Sequence, residues 1–175
     1  MHPVLEQLRS EIGDGLNGLD AVQSQSRPAR EPGKWSIQQV MEHLILTYGS
    51  SCDVVDGRVS KRTPTRASPT LMQRAGQFAL LQCGYFPRGR TAPPMVTPPA
   101  KSEPLSGDAL AAKGDDLLMR FDELAAEAER LFGEKRSISH GVLGPLSAAQ
   151  WRQFHLLHGQ HHLRQIRAIR SAHGL

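Results

Sequence analysis

Apolar residues recur at helical spacing through five stretches of the chain, and strand-like alternation is almost absent. Over 3–26 the row is Leu5, Leu8, Ile12, Leu16 and Leu19. Gly13, Gly15 and Gly18 weaken that helix, each by about 1 kcal/mol relative to alanine. The second stretch, 36–58, opens on a capping box, with Ser36 as N-cap and Gln39 reaching back to it. Trp35 and Val40 occupy the positions of a hydrophobic staple. The core row then runs Ile37, Val40, Met41, Leu44, Tyr48, Cys52 and Val55, with His43 at its edge.

The third stretch, 69–86, has Ser68 as expected N-cap and Pro69 at the first helical position. Its expected buried face is Leu71, Met72, Ala75, Phe78 and Ala79. Residues 87–104 follow, with six prolines, and cannot be helical. Met95 and Val96 offer apolar anchors, which favours an ordered crossover over a lid. The fourth stretch, 106–132, steps by four and three through Leu110, Gly114, Leu117, Phe121, Leu124, Ala128 and Leu131. The fifth, 148–172, opens on a second capping box, Ser147 to Gln150, with Leu146 and Trp151 placed as its staple. The prediction is an all-α protein: a four-helix bundle with an additional helix and a long Pro-rich crossover, in one domain over 1–175.

Composition narrows the classes. A chain of 175 residues buries roughly 70% of its unfolded surface, so it needs neither metal nor disulfide to fold. Cys52 and Cys83 are far apart and form no CxxC pair; both are expected on apolar helix faces. The stretch MHPVLEQLRSE has no apolar signal-peptide region, and no 18-residue apolar run occurs. A cytoplasmic setting without a membrane partner is expected. The charge of +4 comes from scattered arginines, and no basic block is interleaved with aromatics, so no nucleic-acid partner is expected. Pairing through an exposed helix face would suit a homodimer.

Four of the eight histidines, His155, His158, His161 and His162, fall within eight residues of the fifth helix. Imidazole is a poor filler for a bundle core and the commonest metal ligand. His158 and His162, four apart, share one face one turn apart. A catalytic zinc-type site takes three protein ligands and keeps one position open. His43, on the other well-capped helix, is the third candidate. His155 is a candidate fourth ligand or supporting donor, and His161 points about 60° away from His158. Glu42 is expected to face solvent, while Tyr48 and His155 are candidate proton donors. His2, His140 and His173 read as structural. Imidazole ligands suit a divalent metal, zinc or nickel first among them.

The segments WSIQQVMEHL (35–44) and LGPLSAAQWRQFHLLHGQHHLRQI (143–166) resemble the two signature regions of the DinB-like (DinB/YfiT-type) superfamily of metalloenzymes. The match is closest to an uncharacterised bacterial branch with an HxxHHxRQ motif. The resemblance implies that His43, His158 and His162 hold a divalent metal, with Gln165 in a supporting or packing role. It further implies a thiol-dependent transferase or a related activity, with a small-molecule thiol and an electrophilic substrate as partners. A hydrolase using metal-bound hydroxide is the neighbouring reading. The alternative is a non-catalytic bundle that holds metal or ligand with a filled shell.

Overall fold

The computed structural model describes residues 1–86 and 91–175. Five α-helices dominate: α1 (Pro3–Leu16), α2 (Ile37–Val59), α3 (Leu71–Gln77), α4 (Gly107–Phe132) and α5 (Ala148–His173). Two three-residue strands, β1 (Ile138–His140) and β2 (Gly144–Leu146), pair antiparallel with Ser139 opposite Pro145. Among the described residues, no helix is long and apolar enough to cross a membrane.

The four long helices close a ring in the order α1, α4, α2, α5. Their directions follow from the residues that meet. Leu8 packs on Gly159 and Gly15 on Leu163, so α1 and α5 run parallel. Met41 meets Gly114 and Gly49 meets Leu117, so α2 and α4 also run parallel. Arg9 bonds Asp115 at 2.6 Å and the His2 amide bonds Asp122 at 2.9 Å, which makes α1 and α4 antiparallel. Two consecutive bundle helices that run parallel need a long return connection. Residues 60–106 supply it, and α3 and the Pro-rich segment are built into that return.

Both capping boxes form as their sequences predict, at Ser36–Gln39 and Ser147–Gln150. The core row of α2 is buried from end to end, and on α5 Trp151, His155, His162, Leu163, Ile166 and Ile169 are buried, with Tyr48 and Phe121 the largest fully enclosed side chains. On α4 the buried row is Leu110, Gly114, Leu118, Phe121, Ala125 and Ala128. Leu118 and Ala125 replace the expected Leu117 and Leu124, which are partly buried. A straight helix turns every 3.6 residues, so a strict seven-residue row drifts off its face.

Four expectations are corrected. The first helix ends at Leu16 rather than near residue 26: Asn17 is extended and Gly18 takes φ 75°, which glycine adopts without a Cβ penalty. The third helix starts at Leu71, because Thr70 and Gln73 form their own capping box in place of Ser68. It passes into a π turn at Phe78–Gln82. Its expected buried face is turned outward, leaving Leu71, Met72 and Phe78 exposed. Gln77 points inward instead, donating to the carbonyls of Leu143 at 2.8 Å and Pro145 at 3.1 Å. Buried backbone acceptors require donors, and an amide on this face supplies them. Cys52 is buried as expected, but Cys83, just past the π turn, is exposed.

The Pro-rich segment from residue 91 onward is held against α2, and residues 87–90 lie outside the described residues. Val96 is buried and Met95 is not. Gln39 donates to the Pro99 carbonyl at 2.9 Å. Gln38 donates to the Glu103 carbonyl at 3.0 Å and accepts from the Leu105 amide at 2.9 Å.

Candidate metal centre

The antiparallel neighbours α2 and α5 bring together residues far apart in sequence. His43 comes from the first turns of α2, and His158 and His162 from the middle of α5. One nitrogen from each forms a group whose members all lie within 4.8 Å of one another. Nε2 of His158 is 3.4 Å from Nε2 of His43 and 3.1 Å from Nε2 of His162. Two imidazole nitrogens bound to one tetrahedral zinc stand about 3.4 Å apart, given ligand distances near 2.1 Å.

The outer nitrogens fix the tautomers. His43 Nδ1 lies 2.7 Å from the Val96 carbonyl, so this nitrogen carries the proton and donates it. His162 Nδ1 donates in the same way to Gln165 Oε1 at 3.1 Å. Both Nε2 atoms therefore present lone pairs inward. A proton on His158 Nε2 satisfies one of the two contacts and leaves the other as facing lone pairs. A cation satisfies all three nitrogens together. The donor set thus fits a divalent metal of the zinc, nickel or copper class held by neutral imidazoles; the outer nitrogens of His43 and His162 have partners of the usual kind, and His158 Nδ1 meets none among the described residues.

Burial keeps these rings neutral. Desolvation lowers the pKa of His43 below its ordinary value and that of His158 well below it. His162 is pushed down to about 3, first by burial and then by His43. Neutral imidazoles are the form that binds metal, so no proton need leave at neutral pH.

Aromatic rings surround the cluster. Trp35 lies 5.1 Å from His43, and Phe154 stacks on His158 at 5.3 Å and 11°. Phe86 stacks on His161 at 4.9 Å and lies 5.7 Å from His158. Sequence periodicity marked Trp35 only as a staple and left Phe86 without a role. No local signal in the sequence points to the Val96 carbonyl, because its role depends on the return of the crossover over α2.

The other sequence candidates are placed as follows. His155 stands apart from the convergent nitrogens. Its ring is fully buried among Phe121 at 4.5 Å, Tyr48 at 5.2 Å and Phe154 at 5.3 Å, and burial pushes its pKa down to about 3. Neither of its nitrogens meets a hydrogen-bond partner among the described residues, nor does the Tyr48 hydroxyl. Burial raises the pKa of Tyr48 far above its ordinary value. His161 sits at the rim, 3.2 Å from Gln165 Nε2. Glu42 does not face open solvent: it is partly buried and accepts from Gln38 at 2.9 Å. His2 caps α1, the His140 ring accepts two amides of the β-turn, and His173 bonds the Arg27 carbonyl.

Comparison with curated proteins and with solved structures finds no match to this chain. A family model does match it over residues 6–168, nearly its whole length. The chain therefore belongs to the family described as "Protein of unknown function (DUF1569)".

Proposed function

We propose that this protein is a divalent-metal-dependent enzyme whose cation is held by His43, His158 and His162. One observation carries the reading: three Nε2 atoms from two helices converge at 3.1 and 3.4 Å, with the tautomers of two of them fixed by Val96 and Gln165. Three ligands leave a coordination position for a reactant, as catalytic sites do. His155 is not in the group, which counts against a fourth protein ligand and a filled shell.

Zinc or nickel suits this donor set. Bound there, such a cation supplies Lewis acidity, lowering the pKa of a thiol or a water at its open position. The chain's own residues do the remaining work. Neutral imidazoles leave the site with the full positive charge of the cation, which favours an anionic reactant. Trp35, Phe86 and Phe154 exclude water and strengthen that attraction. The favoured reaction is transfer of a small thiol's sulfur to an electrophilic carbon, with the thiol proton lost and a leaving group expelled. Hydrolysis, with water in place of the thiol, is the neighbouring reaction.

The test is metal content by mass spectrometry, on untagged protein purified without chelating resin. Wild type is expected to carry close to one equivalent of metal and His158→Ala close to none. A screen of small thiols against electrophiles follows. A wild type that takes up no zinc or nickel from solution ends the proposal.

A further inference from the structure

In one place an apolar row whose spacing marks it for burial faces outward. Leu71, Ala75 and Phe78 follow one another by four and three residues, with Met72 beside them and Tyr85 beyond the π turn. Leu71 is 85% exposed, Met72 83%, Phe78 65% and Tyr85 61%. Single exposed apolar side chains are ordinary, but a row of large ones marks a contact surface. The orientation is pinned from the inner side, where Gln77 is tied to the hairpin carbonyls. The row therefore cannot roll inward without leaving those acceptors unpaired.

The composition of the segment says what kind of surface meets it. From Ala67 to Phe86 the only charged residue is Arg74. Aromatic residues, methionine and arginine present, with lysine and carboxylates absent, match the core of a protein–protein contact. The four large side chains expose roughly 600 Å² together, close to the ~800 Å² each partner gives to a standard interface.

We infer that this row is the contact between two copies of the chain, related by a two-fold axis. With the two-fold axis perpendicular to the row, the same row lies against itself antiparallel, and Leu71 of each copy meets the far end of the other's row. Such a contact is self-complementary and closed. An anionic bilayer is the rival occupant, since Arg58, Lys61, Arg62 and Arg66 precede the row. A helix that lies in a membrane surface carries several lysines or arginines on its own polar face, however, and from Ala67 to Phe86 Arg74 is the only cation. This inference stands independently of the metal reading.

The test is the solution mass of the full chain, by light scattering coupled to gel filtration, for wild type and Leu71→Glu/Phe78→Ser. Wild type is expected at the mass of two chains, and the double variant at one with an unchanged far-UV circular dichroism spectrum. Met72→Glu reads the same contact separately, should the double variant misfold. A wild type that stays at one chain at micromolar concentration overturns the inference. So does a variant that keeps the two-chain mass. A one-chain wild type that sediments with phosphatidylcholine–phosphatidylglycerol vesicles also overturns it, and assigns the row to a bilayer instead.

Discussion

His43 Nε2 lies 3.4 Å from His158 Nε2 across 115 residues of sequence. The contact joins the start of α2 to the middle of α5, and each ring is set by a different part of the fold. Both rings are shielded by aromatic residues and neutral at physiological pH. The predictions below follow from that arrangement.

Removing a ligand empties the site and leaves the bundle standing. His162→Ala is expected to lose bound metal almost completely and to keep its helical spectrum. The core formed by Leu44, Tyr48, Phe121, Leu163 and their neighbours does not depend on the cation. Metal content and circular dichroism on one preparation check this. Loss of helix together with loss of metal would recast the cation as a structural element.

Gln165 fixes the tautomer of His162 through the 3.1 Å contact to Nδ1. Gln165→Leu removes that acceptor and leaves all three ligands in place. Metal affinity should fall about 10–100-fold, the usual effect of losing such a contact. Competition with a fluorescent chelator measures it. Affinity equal to wild type would mean that the ring is oriented by packing alone.

The metal-free protein should lose stability in acid, through groups outside the cluster as well as within it. Burial lowers His140 to about 4 and His155 to about 3, from an ordinary 6.5. Below 6.5 the unfolded chain therefore binds protons that the folded chain refuses. Stability is flat above that pH and falls as pH drops towards 4, by up to about 1.4 kcal/mol per pH unit for each histidine. Urea unfolding in the presence of a chelator, repeated from neutral to mildly acidic pH, reads the slope. A midpoint that does not move would show that these rings are hydrated in the folded state.

Gly107 opens α4 where the chain passes closest to the end of α1. Its amide donates to the Leu19 carbonyl at 2.9 Å, and a Cβ there would fall onto the Leu16 carbonyl oxygen. Backbone cannot move aside as a flexible side chain does. Gly107→Ala should therefore cost at least the 1–3 kcal/mol typical of overpacking. Gly49→Ala, inside α2 with its Cβ in ordinary contact 3.9 Å from Leu117, should instead stabilise by up to about 1 kcal/mol. Equal midpoints for the two in thermal unfolding would contradict the close approach.

Arg152 is almost fully enclosed and pairs with Asp122 at 3.3 Å and Glu129 at 2.8 Å. Arg152→Ala leaves a cavity and should cost about 3 kcal/mol, because the stem is lost along with the charge. Arg152→Met fills most of that space. The partly exposed carboxylates can then return to water, and the cost should shrink to about 1 kcal/mol or less. Chemical unfolding of both variants separates packing from ion pairing.

Much of this protein is legible in its sequence, for a local reason. Capping boxes at Ser36 and Ser147 fix helix starts through hydrogen bonds spanning three residues. Apolar spacing along α2, α4 and α5 fixes which faces are buried. The four-residue step from His158 to His162 puts both on one face whatever surrounds them. The place of His43 beside the core row of α2 is equally visible in the sequence.

Tertiary structure decided what depends on partners distant in the chain. The outward turn of α3 comes from two hairpin carbonyls that need Gln77 more than the core needs Leu71. The proton position on His43 comes from a carbonyl 53 residues away that a Pro-rich return lays over α2. Phe86 meets His158 and His161 only because that return passes alongside the middle of α5. Hydrophobic periodicity records which residues avoid water. It does not record which buried polar atoms must find one another, and those pairings orient α3 and complete the histidine cluster.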